Sequence, residues 1–139
     1  MGRCQRYGRT LTLAMLDVDH FKEVNDTFGH LIGDQVLKQL ATLLQGRIRR
    51  EDLLARYGGE ELVVALPELG LAQGMLLAEQ LRHLVESHRF RVGDIDIKLT
   101  ISIGVVQLKT GLLDPNAILR EVDAKLYEAK AHGRNRVCG

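Results

Sequence analysis

The sequence predicts a single α/β sandwich of the ferredoxin-like type, with a mostly antiparallel central sheet and the order β-α-β-β-α-β-α. Three observations predict it. Short apolar runs alternate with stretches whose apolar residues recur every three or four positions. Two of the short runs flank the adjacent glycines Gly58 and Gly59, which signals a hairpin. One long stretch, Ile95 to Val105, alternates strictly between apolar residues and Asp96, Lys98, Thr100, Ser102 and Gly104, the mark of a strand with one buried face.

Each element follows from its own pattern. Leu11 to Leu16 is an apolar run that stops at Asp17 and reads as a buried first strand. Val36, Leu37, Leu40, Leu43, Leu44 and Ile48 recur at helical spacing, so a helix covers about Leu31 to Arg49. Leu53 to Tyr57 and Leu62 to Leu66 form the hairpin, whose glycines accept the positive φ angles of tight turns. Pro67 closes it. Leu71, Met75, Ala78, Leu81 and Val85 make the second helix. Asp114 and Pro115 start the last helix as N-cap and first residue, Ile118, Val122 and Leu126 are its apolar stripe, and Gly133 caps its end. A small strand near Val137 completes the sheet.

A chain of 139 residues supports one core, so residues 1–139 are read as one domain. A formal net charge of +1 provides no global basic field for DNA, RNA or an anionic membrane, so an anionic ligand must be held by a local site. Cys4 and Cys138, one near each end, read as reduced thiols rather than a disulfide framework, which implies a cytoplasmic setting. No apolar run reaches transmembrane length.

Four groups of residues carry chemical potential. Asp17 and Asp19 at a strand end either hold Mg²⁺, which takes a few hard oxygen ligands, or stand as a solvated pair capping the next helix. Glu60 and Glu61 follow the two glycines, where a phosphate can approach the backbone without meeting a Cβ; with the hairpin beside the first strand, Glu60 would face Asp17. Asn25 and Asp34 match the donors and acceptors of guanine, or are turn and cap residues. Lys130, His132, Arg134 and Arg136 cluster at the end of the last helix, as dipole partners or as ligand groups. His20, His30, His83 and His88 show no metal-ligand spacing.

These residues together resemble the GGDEF domain family of diguanylate cyclases. Asp17-Val18-Asp19-His20-Phe21-Lys22-Glu23-Val24-Asn25-Asp26-Thr27-Phe28-Gly29-His30, continued by Gly33-Asp34, is similar to the family's first signature block. Arg56-Tyr57-Gly58-Gly59-Glu60-Glu61-Leu62 resembles its naming motif. Thr100 to Val105 is similar to its central strand, and Asp123 to Lys130 with Gly133-Arg134-Asn135 to its final helix.

The resemblance implies a nucleotide-cyclase-like, polymerase-palm-like fold and the condensation of two GTP into cyclic di-GMP and two pyrophosphates. It implies Mg²⁺, or Mn²⁺ in its place, held by Asp17, the Val18 carbonyl and Glu60. Glu61 would help activate the ribose 3′-hydroxyl, and Asn25 and Asp34 would read guanine. Lys130 and Arg134, with backbone N–H groups around His20, Phe21 and Lys22, would hold phosphates. Two chains would face each other as a homodimer. Arg49 and Asp52, in Arg-x-x-Asp five residues before Gly58, resemble the family's inhibitory site for cyclic di-GMP, or form a surface ion pair at a helix end.

The chain departs from the family pattern at three places. Leu62 stands where Phe is usual, Gln80 stands where some relatives carry a second inhibitory Arg, and the segment that normally precedes the first strand is absent. The last departure implies a fragment cut from a longer protein with an upstream sensory region. A non-catalytic domain that binds cyclic di-GMP through Arg49 and Asp52 is the alternative, and the intact acids Asp17, Glu60 and Glu61 favour the cyclase.

Overall fold

The structure, a computed structural model, describes residues 10–109 and 114–139. β1 (Thr10–Val18), β2 (Leu53–Arg56), β3 (Glu61–Pro67), β6 (Ile101–Lys109) and β7 (Val137–Cys138) form one sheet in the order β2-β3-β1-β6-β7. All its pairings are antiparallel except β6 with β7. Around it lie α1 (Phe21–Phe28), α2 (His30–Gln45), α3 (Leu71–Ser87) and α4 (Pro115–Ala131). Cys4 lies outside the described residues, and Cys138 is a free, half-buried thiol on β7.

Strand alternation divides the core between the two faces of the sheet. Ala14, Leu16, Leu62, Val64, Ile101 and Ile103 pack with Val36, Leu40, Leu44, Ala78, Leu81 and Val85 from α2 and α3. Met15, Val106 and Leu108 point the other way and pack with Val122 and Leu126 of α4. The strand β1, central in this arrangement, is covered on both sides, which makes its end a dry place for a charged group.

The structure differs from the sequence expectations at three elements. The helix expected over about Leu31 to Arg49 ends at Gln45, and a separate helix, α1, precedes it. Gly29, at φ 93°, breaks the two apart in a conformation that side chains other than glycine rarely adopt. The alternating stretch expected as one strand from Ile95 to Val105 is two: β5 (Ile95–Ile97) pairs with β4 (Phe90–Val92) in a separate hairpin, and β6 begins at Ile101. The polar half of that alternation divides with it: Asp96 and Lys98 are exposed, whereas Ser102 and Gly104 on β6 are buried. A Cβ on Gly104 would stand 2.2 Å from the backbone N of Leu126, so only glycine allows α4 to lie on β6.

Candidate active site

Asp17 stands at the end of β1 with 5% of its surface exposed. Its neighbours across the ladders are Glu61 on β3 and Ser102 on β6. Lys130, near the end of α4, donates from Nζ to Oδ2 of Asp17. The other oxygen, Oδ1, is buried with no hydrogen-bond partner among the described residues. Burial raises the Asp17 carboxyl above the usual range; Lys130 opposes this and Asp19 adds to it. Glu61 is raised as well, first by burial and then by the charge of Asp17.

A cleft of about 170 Å³ opens beside this pair. Asp17, Val18 and Asp19 line it from the end of β1, Glu60 from the β2–β3 turn, His20, Phe21 and Lys22 from the start of α1, and Lys130 and Arg134 from the end of α4. The residues that the sequence marked for metal and for phosphate therefore meet in one place, although they come from three separate stretches of chain. No side chain caps α1, whose first residues border the cleft. An uncapped helix start presents backbone N–H groups and the positive end of a dipole.

The end of α4 is built to a definite shape. Gly133, at φ 121°, donates to the Lys130 carbonyl at 3.3 Å, and Arg134 donates its backbone N–H to the Ala129 carbonyl at 2.9 Å. This is the Schellman arrangement that ends a helix on glycine. Arg134 and Asn135 then continue at φ 64° and 47°, in the left-handed region.

Asp19 follows neither course left open by the sequence: it is 6% exposed, caps no helix, and its carboxylate is filled by other groups. Thr100 and Ser102 donate their hydroxyls to it at 2.7 and 2.6 Å, and the Asn135 backbone N–H donates at 3.0 Å. Sequence reasoning missed Thr100, Ser102 and Asn135 as partners of this carboxylate. They lie 81 to 116 residues away, and nothing in the local pattern links them.

The β2–β3 hairpin is present, but its glycines work differently from the expectation. Neither Gly58 nor Gly59 has a positive φ. A Cβ at Gly58 would stand 3.0 Å from a Glu61 carboxylate oxygen, a tight approach that the Glu61 side chain would have to yield to. Arg56, which sequence reasoning did not single out, holds the tip: its guanidinium donates to the Gly58 and Gly59 carbonyls at 2.6 to 3.3 Å. Leu62 is buried, as its apolar character requires.

Asn25 lies on α1 with its carboxamide laid over Gly33, where a Cβ would come within 2.0 Å of Oδ1. The neighbouring Asp34 is exposed on α2. The Phe21 ring also touches the Gly33 position, at 3.1 Å from a Cβ built there, so Phe21 bridges the cleft and the Asn25–Asp34 pair. A second cavity of about 600 Å³ runs between α2 and the hairpin. Its floor is Leu37, Ala41, Leu54 and Leu62, and Glu60 and Glu61 stand at its rim. A mostly apolar hollow with a few polar groups has the character of a small-molecule site.

Arg49 and Asp52 are engaged with each other. Arg49 donates from Nε and Nη2 to Asp52 Oδ1 at 3.0 and 2.7 Å, and its backbone N–H reaches Oδ2 at 2.7 Å. Nη2 also donates to the Pro67 carbonyl at 2.9 Å, which ties the segment to the end of β3. The Asp52 side chain is fully buried, whereas that of Arg49 is 35% exposed. Gln80 is exposed on α3.

Among the described residues no group of three or more His, Cys, Asp or Glu gathers to hold a metal ion. With Asp19 filled by its own hydrogen bonds, Asp17 and Glu60 are the carboxylates at the cleft that suit Mg²⁺, since that ion is commonly bound by one or two carboxylates and completes its shell with phosphate oxygens and water. No helix among the described residues is long and apolar enough to cross a membrane.

Comparison with known proteins bears on this geometry. The profile of the family described as "Diguanylate cyclase, GGDEF domain" matches residues 1–136. The chain is similar to the response regulator PleD of Caulobacter vibrioides, with 43% identity over 134 residues, 95% of this chain and 30% of that protein. Its fold is similar to that of diguanylate cyclase SiaD from Pseudomonas aeruginosa, solved in complex with its activator SiaC, at a TM-score of 0.90 and 39% identity. That match covers 98% of this chain and 52% of the other. The GGDEF domain of DgcB from Caulobacter crescentus, solved in complex with c-di-GMP, superposes at a TM-score of 0.88 with 33% identity, over 99% of this chain and 81% of that one.

Proposed function

Because the chain belongs to the GGDEF domain family of diguanylate cyclases, we propose that it joins two molecules of GTP into cyclic di-GMP and releases two pyrophosphates. The observation that carries this reading is the cleft in which the buried Asp17, with one oxygen unpartnered, meets Glu60, Lys130, Arg134 and the start of α1.

The donor set fits Mg²⁺ or Mn²⁺. Asp17, the Val18 carbonyl and Glu60 would hold the ion, whose chemistry is to neutralise triphosphate charge and polarise the phosphorus that is attacked. An unpaired buried carboxylate oxygen is costly, and a cation answers that cost. Lys130, Arg134 and the N–H groups of His20, Phe21 and Lys22 would hold the phosphates and stabilise the charge that builds up in transfer. Glu61, whose carboxyl is raised by burial and by Asp17, is a stronger base than an ordinary carboxylate and would take the proton of the ribose 3′-hydroxyl. Asn25 and Asp34 would read the guanine edge beside Phe21.

Each chain would hold one GTP, and two chains facing each other with two-fold symmetry would bring each 3′-oxygen to the other's α-phosphate. Product returning to Arg49 and Asp52 would restrain the enzyme. It would compete there for guanidinium donors that now point at Asp52 and Pro67. The reading carries with it a cytoplasmic location, where GTP is at hand.

The test is incubation of the protein with GTP and Mg²⁺, followed by separation of the nucleotides. Cyclic di-GMP forms with the parent. The Glu60→Gln variant keeps its circular dichroism spectrum and loses turnover by at least about 100-fold. Absence of cyclic di-GMP from the folded, dimeric parent, or full turnover in Glu60→Gln, overturns the reading.

A further inference from the structure

The turn that presents Arg134 to the cleft is strained and is held from two sides. Arg134 and Asn135 are consecutive residues in the left-handed region, at φ 64° and 47°. Asparagine enters that region readily, but arginine does so at a cost that surrounding contacts must offset. One set of contacts is Asp19, 6% exposed, which accepts from the Asn135 backbone while Thr100 and Ser102 hold its carboxylate in place. The other set comes from α3. Asn135 Nδ2 donates to Glu86 Oε2 at 2.8 Å, and Arg82 Nη1 donates to Asn135 Oδ1 at 2.9 Å. Arg82 is fixed in turn by Glu79 and Glu86, at 2.6 and 3.1 Å. Both hydrogen-bonding ends of the Asn135 side chain are thus used.

We propose that Asn135 is a positioning residue: clamped between Asp19 and the Arg82–Glu86 pair, it holds the turn that aims Arg134 at the phosphates of bound GTP. The inference rests on the reading of Arg134 as a phosphate ligand and adds to it. A flexible arginine loses rotamer and backbone freedom on gripping a ligand, and a turn already fixed has lost part of it beforehand. The chain Asp19–Asn135–Glu86–Arg82 supplies that preorganisation, and of its members only Asp19 borders the cleft.

A double-mutant cycle tests it, read by calorimetric binding of a non-hydrolysable GTP analogue in Mg²⁺ and by the KM for GTP. Asn135→Gly is the chosen change because glycine keeps the left-handed backbone and its N–H while deleting the side-chain link. Arg134→Ala weakens binding about tenfold, the value of one charge-assisted contact. Asn135→Gly raises KM and weakens binding by a comparable or smaller factor with its melting temperature little changed. Because Asn135 acts through Arg134, the double variant binds no more weakly than Arg134→Ala alone. Thr100→Val, which removes one donor from Asp19 and leaves α3 untouched, shifts affinity in the same direction. Parental affinity in Asn135→Gly, or losses that multiply in the double variant, overturns the positioning role and leaves the phosphate assignment standing. Parental affinity in Arg134→Ala overturns both.

Discussion

Asp17 and Glu61 stand directly opposite each other across the β1–β3 ladder, so two carboxylates share one largely dry end of the sheet. Each is raised above the usual carboxylate range, Asp17 and Glu61 both chiefly by burial. Among the described residues only one cation, Lys130, bonds to Asp17, and it reaches one oxygen. The site is therefore short of positive charge, and a divalent ion relieves it.

Mg²⁺ accordingly stabilises the protein through Asp17. At 100 times the dissociation constant, a ligand that binds only the folded state adds about 2.7 kcal/mol. The melting temperature of the parent rises with Mg²⁺, and that of Asp17→Asn does not. Without Mg²⁺, Asp17→Asn melts at or above the parent, because the amide removes a charge that burial disfavours. Differential scanning calorimetry checks both; an equal Mg²⁺ response in the two proteins contradicts the assignment.

The expected outcome of the guanine assignment is a preference for GTP over ATP. Adenine lacks the N1–H and N2–H₂ donors, which leaves Asp34 unpaired, at a cost of about 1–3 kcal/mol per unsatisfied group. Asp34→Asn narrows the gap between the two nucleotides. Competition binding measures it, and equal affinities for GTP and ATP in the parent refute the pairing of Asn25 and Asp34 with guanine.

Arg49→Ala has two effects. Removing the guanidinium leaves the buried Asp52 carboxylate with the Arg49 backbone N–H and frees the Pro67 carbonyl, which destabilises the fold by about 1–3 kcal/mol. The double change Arg49→Ala with Asp52→Ala recovers part of that loss, since no buried charge is left unpaired. Cyclic di-GMP binds both variants more weakly than the parent, and inhibition of the parent is non-competitive with GTP, as a separate site requires. Chemical denaturation and titration calorimetry read the two effects separately. Unchanged cyclic di-GMP affinity makes the pair a structural clasp alone.

Acid weakens the clamp on Asn135. Hydrogen bonds from Arg82 hold Glu79 below its ordinary value of 4.5, and bonds from Asn135 and then Arg82 do the same for Glu86. A carboxylate depressed in the folded state contributes stability that is present above its unfolded value and is lost as pH falls through the folded one. Between about pH 6 and pH 3 the parent therefore loses more stability than Arg82→Ala, in which Glu79 loses its main partner and Glu86 keeps only the bond from Asn135. Urea denaturation across that range shows the two curves converging toward low pH; parallel curves contradict it.

Much of the fold is legible because its elements carry their own periodicity. Leu11 to Leu16, the stripe Leu71 to Val85 and the Asp114-Pro115 start each appear where the sequence pattern puts them. The break at Gly29 and the split of Ile95 to Val105 are not legible in the same way. Asp96 and Ile97 continue the alternation of Ser102 and Ile103, and only pairing distinguishes them: the first stretch finds β4, the second finds β1. Register is a property of two strands, so one strand cannot announce it.

By itself the sequence determined the alternation of strands and helices, the hairpin around Gly58 and Gly59, and the presence of acids at strand ends and cations after the last helix, because those depend on neighbours in the chain. The tertiary structure decided which acid is poised and which is consumed. Asp17 and Asp19 are two residues apart and chemically identical, yet one keeps a buried oxygen without a partner while the other is filled by Thr100, Ser102 and Asn135. The distinction comes from what the folded sheet and α4 bring beside each carboxylate, since burial and hydrogen-bond saturation depend on groups more than 80 residues distant.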